Sequence, residues 1–259
     1  MTDPVAQQSS PKTPRHKVLV TGSAGAIGTA VVKELKARGH TVRGLDLRPT
    51  PGVEDAIVGP ISDPAVIDRA VTGMTAIVHL AATTDDADFM TQLLPNNIIA
   101  VHYILDAALR HGVRRVALAS SMQVTMGLKK AEIERLISPH ESAPTNGYAV
   151  TKLFAEDIGH MYALRHGIGV VCARIGFLPR NPETAQHFKT KPWSQNIDLS
   201  HDDAGRFFAQ AIEWPDVKYA VLWALSKRKS ANGYDLDPSK HAIGYEPQDM
   251  FPQGLPFAV

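Results

Sequence analysis

The sequence predicts an α/β fold in which a doubly wound parallel sheet carries helices on both of its faces. Short β-branched runs alternate with segments of helical period along most of the 259 residues, which is the pattern of repeated strand–helix units. The run at 76–80 is apolar apart from His79, as expected for a strand that is covered on both faces. A glycine-rich turn also joins the first predicted strand to the first predicted helix.

The predicted elements follow one another from residue 17 to residue 225. The first strand, Lys17–Thr21, leads through the glycine turn into a helix at 29–38, which ends at Gly39. Asp63 caps a second helix, Pro64–Val71, because aspartate at the cap and proline in the first turn favour a helix start. The further predicted strands are Thr41–Asp46, Ala56–Val58, 76–80, 116–121, 169–173 and 220–225. The further predicted helices are 97–110, 148–165 and 203–213, and 179–192 is predicted as a loop.

Composition and charge argue against several classes of protein. With 27 Lys and Arg against 26 Asp and Glu, the formal net charge is +1, which gives no strong field for binding nucleic acid or an anionic membrane. The chain has one cysteine, Cys172, so an internal disulfide and a cysteine-cluster metal site are excluded. No apolar run is long enough to span a membrane and no export signal is recognisable, so we expect a cytoplasmic protein.

The histidines do not indicate a metal site. The eleven histidines are scattered, and no pair has the H-E-x-x-H form. His201 and Asp202 precede Asp203, but we interpret Asp203 as the N-cap of the helix that follows. The sequence therefore predicts no bound metal.

A dinucleotide site is indicated by Gly22, Gly25 and Gly28, which form a G-x-x-G-x-x-G turn between a strand and a helix. The first glycine allows the tight turn, the second lets the backbone approach a pyrophosphate, and the third allows the helix to pack closely on the strand. The N–H groups and the positive dipole at the helix N-terminus favour phosphate groups.

The type of dinucleotide depends on Asp46, which ends the second strand eighteen residues beyond Gly28. A carboxylate at this place accepts hydrogen bonds from the adenosine ribose of NAD and repels the 2′-phosphate of NADP. NAD is therefore the predicted cofactor. Arg48 follows two residues later and can meet a 2′-phosphate, which keeps NADP as the alternative. A solvated turn carboxylate is the interpretation of Asp46 without a ligand.

A catalytic group is indicated by Tyr148 and Lys152, whose i, i+4 spacing places them on one face of a helix. The ordinary pKa of a phenol is near 10, and a neighbouring cation lowers it. Tyr148 then exchanges a proton with a substrate hydroxyl as a general base, and Lys152 can also hold the nicotinamide ribose. Ser121, at the end of a preceding strand, positions the same hydroxyl. On its own, a Tyr–Lys pair on a helix is more often surface decoration.

Together these motifs resemble the extended short-chain dehydrogenase/reductases, the NAD-dependent epimerase/dehydratase group. The likeness covers roughly residues 17–215, and its further motifs are 79–82, Asn97, Ser120, Ser121 and 174–176. It implies a Rossmann-type NAD-binding and catalytic domain at 17–176 and a small substrate-binding cap at 177–259. The polar residues 1–16 are expected to be a disordered tail.

The resemblance also implies site residues. Ser121, Tyr148 and Lys152 become the catalytic set. The residues expected to bind the cofactor are Gly22, Gly25, Ala26, Ile27, Gly28, Asp46, Ile61, Leu80, Ala81, Ala82, Asn97, Tyr148, Lys152 and Ile175. The residues expected to bind the substrate are Thr84, Ser121, Met122, Gln123, Tyr148 and Phe177. By the same analogy, the helices at 97–110 and 148–165 pair subunits in a homodimer or a larger homo-oligomer.

Within that group, the sequence most resembles the uronate dehydrogenases, which oxidise the anomeric carbon of a sugar acid to a lactone. The likeness includes 200–203 and 221–226. Met122 and Gln123 stand where uronate dehydrogenases have asparagine and histidine, and Phe177 stands where they have serine. Their carboxylate-binding arginine has no clean match, and the nearest cations are Lys189 and Lys191.

The resemblance implies an NAD-dependent oxidoreductase that acts on a sugar, a sugar acid or a related small hydroxy compound. Three alternatives stay open: a dehydrogenase or reductase for a more apolar alcohol or carbonyl, a sugar epimerase, and a non-catalytic NAD-binding protein. A dehydratase is disfavoured, because Met122 and Gln123 cannot exchange protons.

Overall fold

The computed structural model describes residues 15–128, 135–190, 196–228 and 233–259. Within these residues one sheet of seven strands forms the centre of the molecule, with the order β3-β2-β1-β4-β5-β6-β7. Every neighbouring pair is parallel. The strands are β1 Lys17–Thr21, β2 Thr41–Asp46, β3 Ala56–Val58, β4 Ala76–His79, β5 Arg115–Ser121, β6 Gly169–Ile175 and β7 Tyr219–Ala224. The predicted doubly wound parallel sheet is confirmed.

Helices cover both faces of this sheet. They are α1 Ala26–Ala37, α2 Pro64–Val71, α3 Ala100–Arg110, α4 Gly147–His166, α5 Pro182–Lys189, α6 His201–Glu213 and α7 Asp237–Ile243. Apolar residues of α1 and α6 pack against one face, and those of α2, α3 and α4 pack against the other. The strand order reverses between β1 and β4, and in open α/β sheets ligands bind at the carboxyl ends of the strands beside such a reversal.

The helix predicted to begin at Asn97 begins earlier in the structure. The chain is wound as a π-helix over Phe89–Ile99 and then continues as α3. Pro95 lies inside this segment, although proline removes a helical N–H donor. The start is instead marked by Asp88, whose carboxylate accepts a hydrogen bond from the backbone N–H of Thr91 at 2.8 Å.

Two further local predictions are wrong. The segment predicted as loop at 179–192 contains α5, which starts with a capping box between Asn181 and Thr184. The cap of α6 is Ser200 rather than Asp203, because the Ser200 hydroxyl accepts the backbone N–H of Asp203 at 2.9 Å. Asp203 therefore lies in the first turn, where its charge also complements the helix dipole.

The fully buried Asp203 joins α6 to two distant segments. Its carboxylate accepts hydrogen bonds from Arg206, from the Ser226 hydroxyl at 2.7 Å, and from the backbone N–H groups of Gln248 and Asp249 at 2.9 and 3.1 Å. Because a buried carboxylate is stable only when it is well hydrogen-bonded, these partners fix the segment after β7 and the C-terminal residues against the sheet.

Most of the predicted N-terminal tail, residues 1–14, lies outside the described residues, so its disorder stays a prediction. Residues beyond 176 contribute β7 and α6 to the same sheet and core as the residues before them. Among the described residues, none of the helices is both long and apolar enough to cross a membrane.

Candidate active site

The glycine turn between β1 and α1 leaves no room for side chains. Gly22 has a φ of 69°, and a Cβ there would lie 2.8 Å from the backbone nitrogen of Ala81. A Cβ at Gly28 would lie 2.1 Å from the carbonyl oxygen of Gly22. The N-cap of α1 is Gly25, which has no side chain to occupy the N–H groups of the first turn. Such a bare backbone cradle fits the pyrophosphate of a dinucleotide.

Asp46 and Arg48 lie beside this cradle and are hydrogen-bonded to it. The Asp46 carboxylate accepts the backbone N–H of Ala24 at 3.0 Å and that of Arg48 at 3.3 Å. The Arg48 guanidinium donates to the carbonyl of Ala24 at 2.8 Å. A carboxylate and a guanidinium therefore both stand where the adenosine ribose of a dinucleotide would lie.

Two apolar residues near Asp46 differ in exposure. Ile61, predicted to contact adenine, is only 9% exposed and packs in the core with Leu45 and Val66. Leu47, between Asp46 and Arg48, is 75% exposed. No role in the site was predicted for Leu47, although the sequence shows this apolar residue directly after the strand-ending acid.

The segment after β4 is held close to the glycine turn. The Thr21 hydroxyl oxygen accepts the backbone N–H groups of Leu80 and Ala81, both at 3.2 Å, and is bonded to Nδ1 of His79 at 2.7 Å. Asn97 is 1% exposed and its amide is bonded to the backbone of Thr83. It also donates to the Thr151 hydroxyl at 3.1 Å, which ties this segment to α4.

Ser121, Tyr148 and Lys152 come together at the carboxyl edge of the sheet. The Ser121 hydroxyl, at the end of β5, lies close enough to the Tyr148 phenol to lower its pKa. Lys152 lies one turn after Tyr148 on α4, with its Nζ 5.4 Å from the centroid of the Tyr148 ring. Asn146 caps α4 by accepting the backbone N–H of Ala149 at 2.8 Å. This cap fixes Tyr148 in the first turn of the helix. Tyr148 and Lys152 are 8% and 6% exposed.

Burial governs the protonation of these groups. It raises the pKa of Tyr148 to about 12, although the neighbouring Ser121 hydroxyl lowers this pKa. Burial lowers the pKa of Lys152 to about 8 and that of His79 to about 3. The expectation of a lowered pKa for Tyr148 is therefore wrong for the protein by itself. Lys152 directs its ammonium to the carbonyl of Ala119 at 2.9 Å, and desolvation of the phenolate prevails.

A model of the NAD dependent epimerase/dehydratase family matches residues 18–197. The chain belongs to this family.

Relatives similar to this chain include sugar dehydrogenases. The chain is 32% identical to a uronate dehydrogenase of Pseudomonas syringae pv. tomato over 249 residues, which covers 95% of this chain and 86% of the relative. It is 28% identical to an L-arabinose 1-dehydrogenase (NAD(P)(+)) of Haloferax volcanii, covering 90% of this chain and 96% of that protein. The solved uronate dehydrogenase from Agrobacterium tumefaciens is 25% identical with a TM-score of 0.78, covering 90% of this chain and 84% of that one.

A buried ion pair lies behind Ser121, Tyr148 and Lys152. Arg174, at the end of β6, donates to both oxygens of Glu156 at 2.8 Å, and the Ser120 hydroxyl donates to the same carboxylate at 2.5 Å. The Arg174 guanidinium also lies 5.5 Å from the ring centroid of Trp223. Glu156 follows Lys152 by one more turn, so the i, i+4, i+8 spacing was a signal that the sequence reasoning did not use.

The polar residues among those predicted to bind the substrate differ in position. Ser121 and Gln123 lie beside Tyr148, and the Gln123 amide oxygen accepts from Asn146 at 2.9 Å. Thr84 is exposed on the segment after β4.

Met122 and Phe177 belong to apolar clusters. Met122 is 6% exposed in a cluster with Trp223, Leu225 and other residues. The Phe177 ring stacks on Phe188 of α5, with their centroids 3.6 Å apart. Both side chains therefore also have a packing role.

Of the two cations considered for a sugar carboxylate, one belongs to the residues that the structure describes. Lys189 donates to the carbonyl of Val259 at 3.0 Å, and Lys191 lies outside the described residues. Within the part of the chain that the structure describes, no group of three or more His, Cys, Asp or Glu residues could hold a metal ion.

Proposed function

We propose that the protein is an NAD-dependent dehydrogenase that oxidises the anomeric hydroxyl of a sugar, a sugar acid or a closely related hydroxy compound to the lactone. The observation that carries this proposal is the meeting of Ser121, Tyr148 and Lys152 at the carboxyl edge of the sheet that also bears the glycine cradle. The names of the relatives, a uronate dehydrogenase and an arabinose 1-dehydrogenase, support the substrate class.

Side chains of the protein bind the substrate hydroxyl and accept its proton. Ser121 lies beside the Tyr148 phenol at the end of β5, and both oxygens bind the hydroxyl that reacts. NAD, when bound, accepts the hydride from the carbon. Tyr148 first gives its own proton to solvent, which the positive charges of Lys152 and of bound NAD⁺ would favour against the burial that raises its pKa. The hydroxyl proton then passes to the Tyr148 phenolate, so Tyr148 is the general base. Lys152 supplies positive charge beneath the phenol and can hold the nicotinamide ribose.

Asp46 favours NAD over NADP as the cofactor. Its carboxylate stands at the cradle and repels a 2′-phosphate. Arg48, bonded to the carbonyl of Ala24 on the same side, is the feature that would admit NADP. The remaining cofactor contacts proposed are those of residues 25–28, Ile61, 80–82, Asn97 and Ile175.

The molecule is proposed to act as a cytoplasmic homodimer, with 177–259 as a cap over the substrate. Its subunits would pair through the helices at 97–110 and 148–165. Large apolar side chains are exposed on these helices: Ile99, Leu109, Val150, Met161 and Leu164. Exposed apolar faces of this kind are typical of interfaces between subunits.

The experiment is to follow NADH formation at 340 nm over a panel of uronates, neutral aldoses, sugar phosphates, polyols and simple alcohols. Each compound is offered with NAD and with NADP. We expect turnover with at least one free sugar or sugar acid and with NAD preferred. Turnover confined to simple apolar alcohols would replace the substrate class. Absence of turnover with every compound, while NADH still binds, would favour the non-catalytic alternative.

A further inference from the structure

Two loops meet over the candidate active site and frame its mouth. One loop follows β4 and contains Asp85, and the other follows β6 and contains Arg180. The Arg180 guanidinium lies 3.7 Å from the Asp85 carboxylate. Since β5 lies between β4 and β6 in the sheet, this ion pair passes across the end of β5, where Ser121 lies.

The backbone at both ends of this pair is fixed. The N–H of Arg180 donates to the Thr184 hydroxyl in the first turn of α5 at 3.0 Å. Asp85 has a φ of 65°, a left-handed conformation that few residues other than glycine, asparagine and aspartate adopt. The side chains are nevertheless accessible, with exposed fractions of 58% for Arg180 and 68% for Asp85. A ligand entering the mouth therefore meets two charges whose attachment points do not have to be ordered first.

Both charges act on the reacting group. The Asp85 carboxylate raises the pKa of the Tyr148 phenol, and the Arg180 guanidinium lowers it. Coulombic effects of this kind fall off with distance, so both side chains lie close enough to interact with a substrate that is bonded to Tyr148.

A second carboxylate also borders the mouth. An Oδ atom of Asp86 lies 3.7 Å from the place that a Cβ on Gly147 would take, directly before Tyr148 in the chain. The mouth thus carries Asp85 and Asp86 against Arg180, which is itself paired with Asp85.

Two other cations of the described residues near Tyr148 have partners of their own. Arg174 is 2% exposed and is bonded to Glu156, and Lys152 is directed to the Ala119 carbonyl. A sugar carboxylate at this mouth would face two carboxylates and a guanidinium that is already neutralised, which is unfavourable. Neutral hydroxyl groups can instead donate to Asp85 and accept from Arg180.

We propose that Asp85 and Arg180 bind hydroxyl groups of the substrate and that the mouth selects neutral sugars over sugar acids. This inference rests on the proposed function, because it specifies the substrate of the same site.

The test compares each neutral aldose with its own uronate, such as D-galactose with D-galacturonate and D-glucose with D-glucuronate. We expect kcat/KM to be at least about tenfold higher for the better aldose than for its uronate, since like charges in a binding site are repulsive. Raising the salt concentration should narrow this ratio by improving the uronate, because salt screens the exposed carboxylates.

The decisive variant is Asp85→Asn, since asparagine tolerates the left-handed backbone and removes only the charge. We expect the aldose-to-uronate ratio to fall by about threefold to tenfold, mainly through a lower KM for the uronate. The matched control is Asp55→Asn, because Asp55 is also an exposed carboxylate paired with an arginine, Arg43 at 3.0 Å, but lies beyond β2. Its ratio should equal that of the unmodified protein.

Arg180→Gln separates this inference from its opposite. If the unmodified protein prefers uronates and Arg180→Gln removes that preference, Arg180 is a carboxylate ligand and the inference is overturned. An unchanged ratio in Asp85→Asn would also overturn it.

Direct binding keeps the two proposals distinguishable. Saturation-transfer NMR of the same sugars, with the protein in the presence of NADH, measures selection without turnover. Binding of the aldose in this experiment, together with no turnover of it in the assay with NAD, would refute the proposed dehydrogenase but leave the selection intact. Equal binding of both sugars, or tighter binding of the uronate, would refute the selection, whatever the enzyme activity.

Discussion

The crevice at the carboxyl edge of the sheet has two walls that are built differently. The backbone wall, formed by residues 21–28 and 44–48, depends on glycine and on N–H groups, and it excludes side chains by contact. The side-chain wall, formed by Ser120, Ser121, Tyr148, Lys152, Glu156 and Arg174, is made of buried polar and ionisable groups. The first wall is therefore sensitive to added volume, and the second is sensitive to charge and pH.

The largest effect that would sharpen this comparison is expected for Tyr148→Phe. Loss of the phenol oxygen removes the proton acceptor, so turnover of the best substrate should fall by about 10³-fold. The Kd for NADH, followed by its fluorescence, should stay within about twofold, because the backbone wall is untouched. Tyr162→Phe is the matched control, since Tyr162 lies on the same helix and is 5% exposed. Full turnover in Tyr148→Phe would refute the role of Tyr148.

The next largest effect is expected for Lys152→Met, which should make the protein more stable while it lowers turnover. Burial lowers the pKa of Lys152 to about 8 in the folded protein, so below that pH the folded state carries a desolvated ammonium. Replacing it should raise the free energy of unfolding at pH 7 by about 2 kcal/mol and greatly lower turnover.

The stability gained by Lys152→Met should depend on pH. The cost of the buried ammonium is fully present below about pH 8 and disappears as the pH approaches the ordinary lysine value near 10.4. The stability gained by Lys152→Met, measured by denaturant unfolding, should therefore shrink over this range. A Lys152→Met protein that is less stable than the parent at pH 7 would show that the ammonium is well solvated or paired.

The smallest effect concerns the backbone wall and compares Gly22→Ala with Gly112→Ala. Both glycines have a left-handed φ, 69° and 71°, but only at Gly22 would a Cβ meet backbone atoms, with nothing within 4 Å at Gly112. Gly112→Ala should lose about 1 kcal/mol of stability from backbone strain, and Gly22→Ala should lose more, because its Cβ also meets backbone atoms. Only Gly22→Ala should weaken NADH binding, by at least about tenfold. Equal Kd values for the two variants would mean that the cradle does not hold the dinucleotide.

The two walls also differed in how far the sequence could predict them. The backbone wall was predictable because glycine spacing, strand and helix are contiguous in the chain. The meeting of Ser121 with Tyr148 was inferred only by resemblance, since β5 and α4 are joined by a long segment. The raised pKa of Tyr148 could not be predicted, because it depends on burial and on Asp85 and Arg180, which approach from other loops.

The incorrect local predictions have physical causes too. The helix predicted to begin at Asn97 begins earlier, because the π-helix that precedes α3 accommodates Pro95. The cap of α6 was assigned to Asp203 because aspartate is a good N-cap residue. The structure gives that role to Ser200, since Asp203 is needed as a buried acceptor for groups from two later segments.

The hydrogen bonds of Asp203 set a time order for folding during protein synthesis. Two of its donors, the N–H groups of Gln248 and Asp249, lie 45 and 46 residues later in the chain. At about 5–20 residues per second, a ribosome takes roughly two to nine seconds to add them after Asp203. Until that interval has passed, the Asp203 carboxylate of α6 lacks two of its hydrogen-bond donors, so the C-terminal segment completes the burial of a charge that α6 already carries.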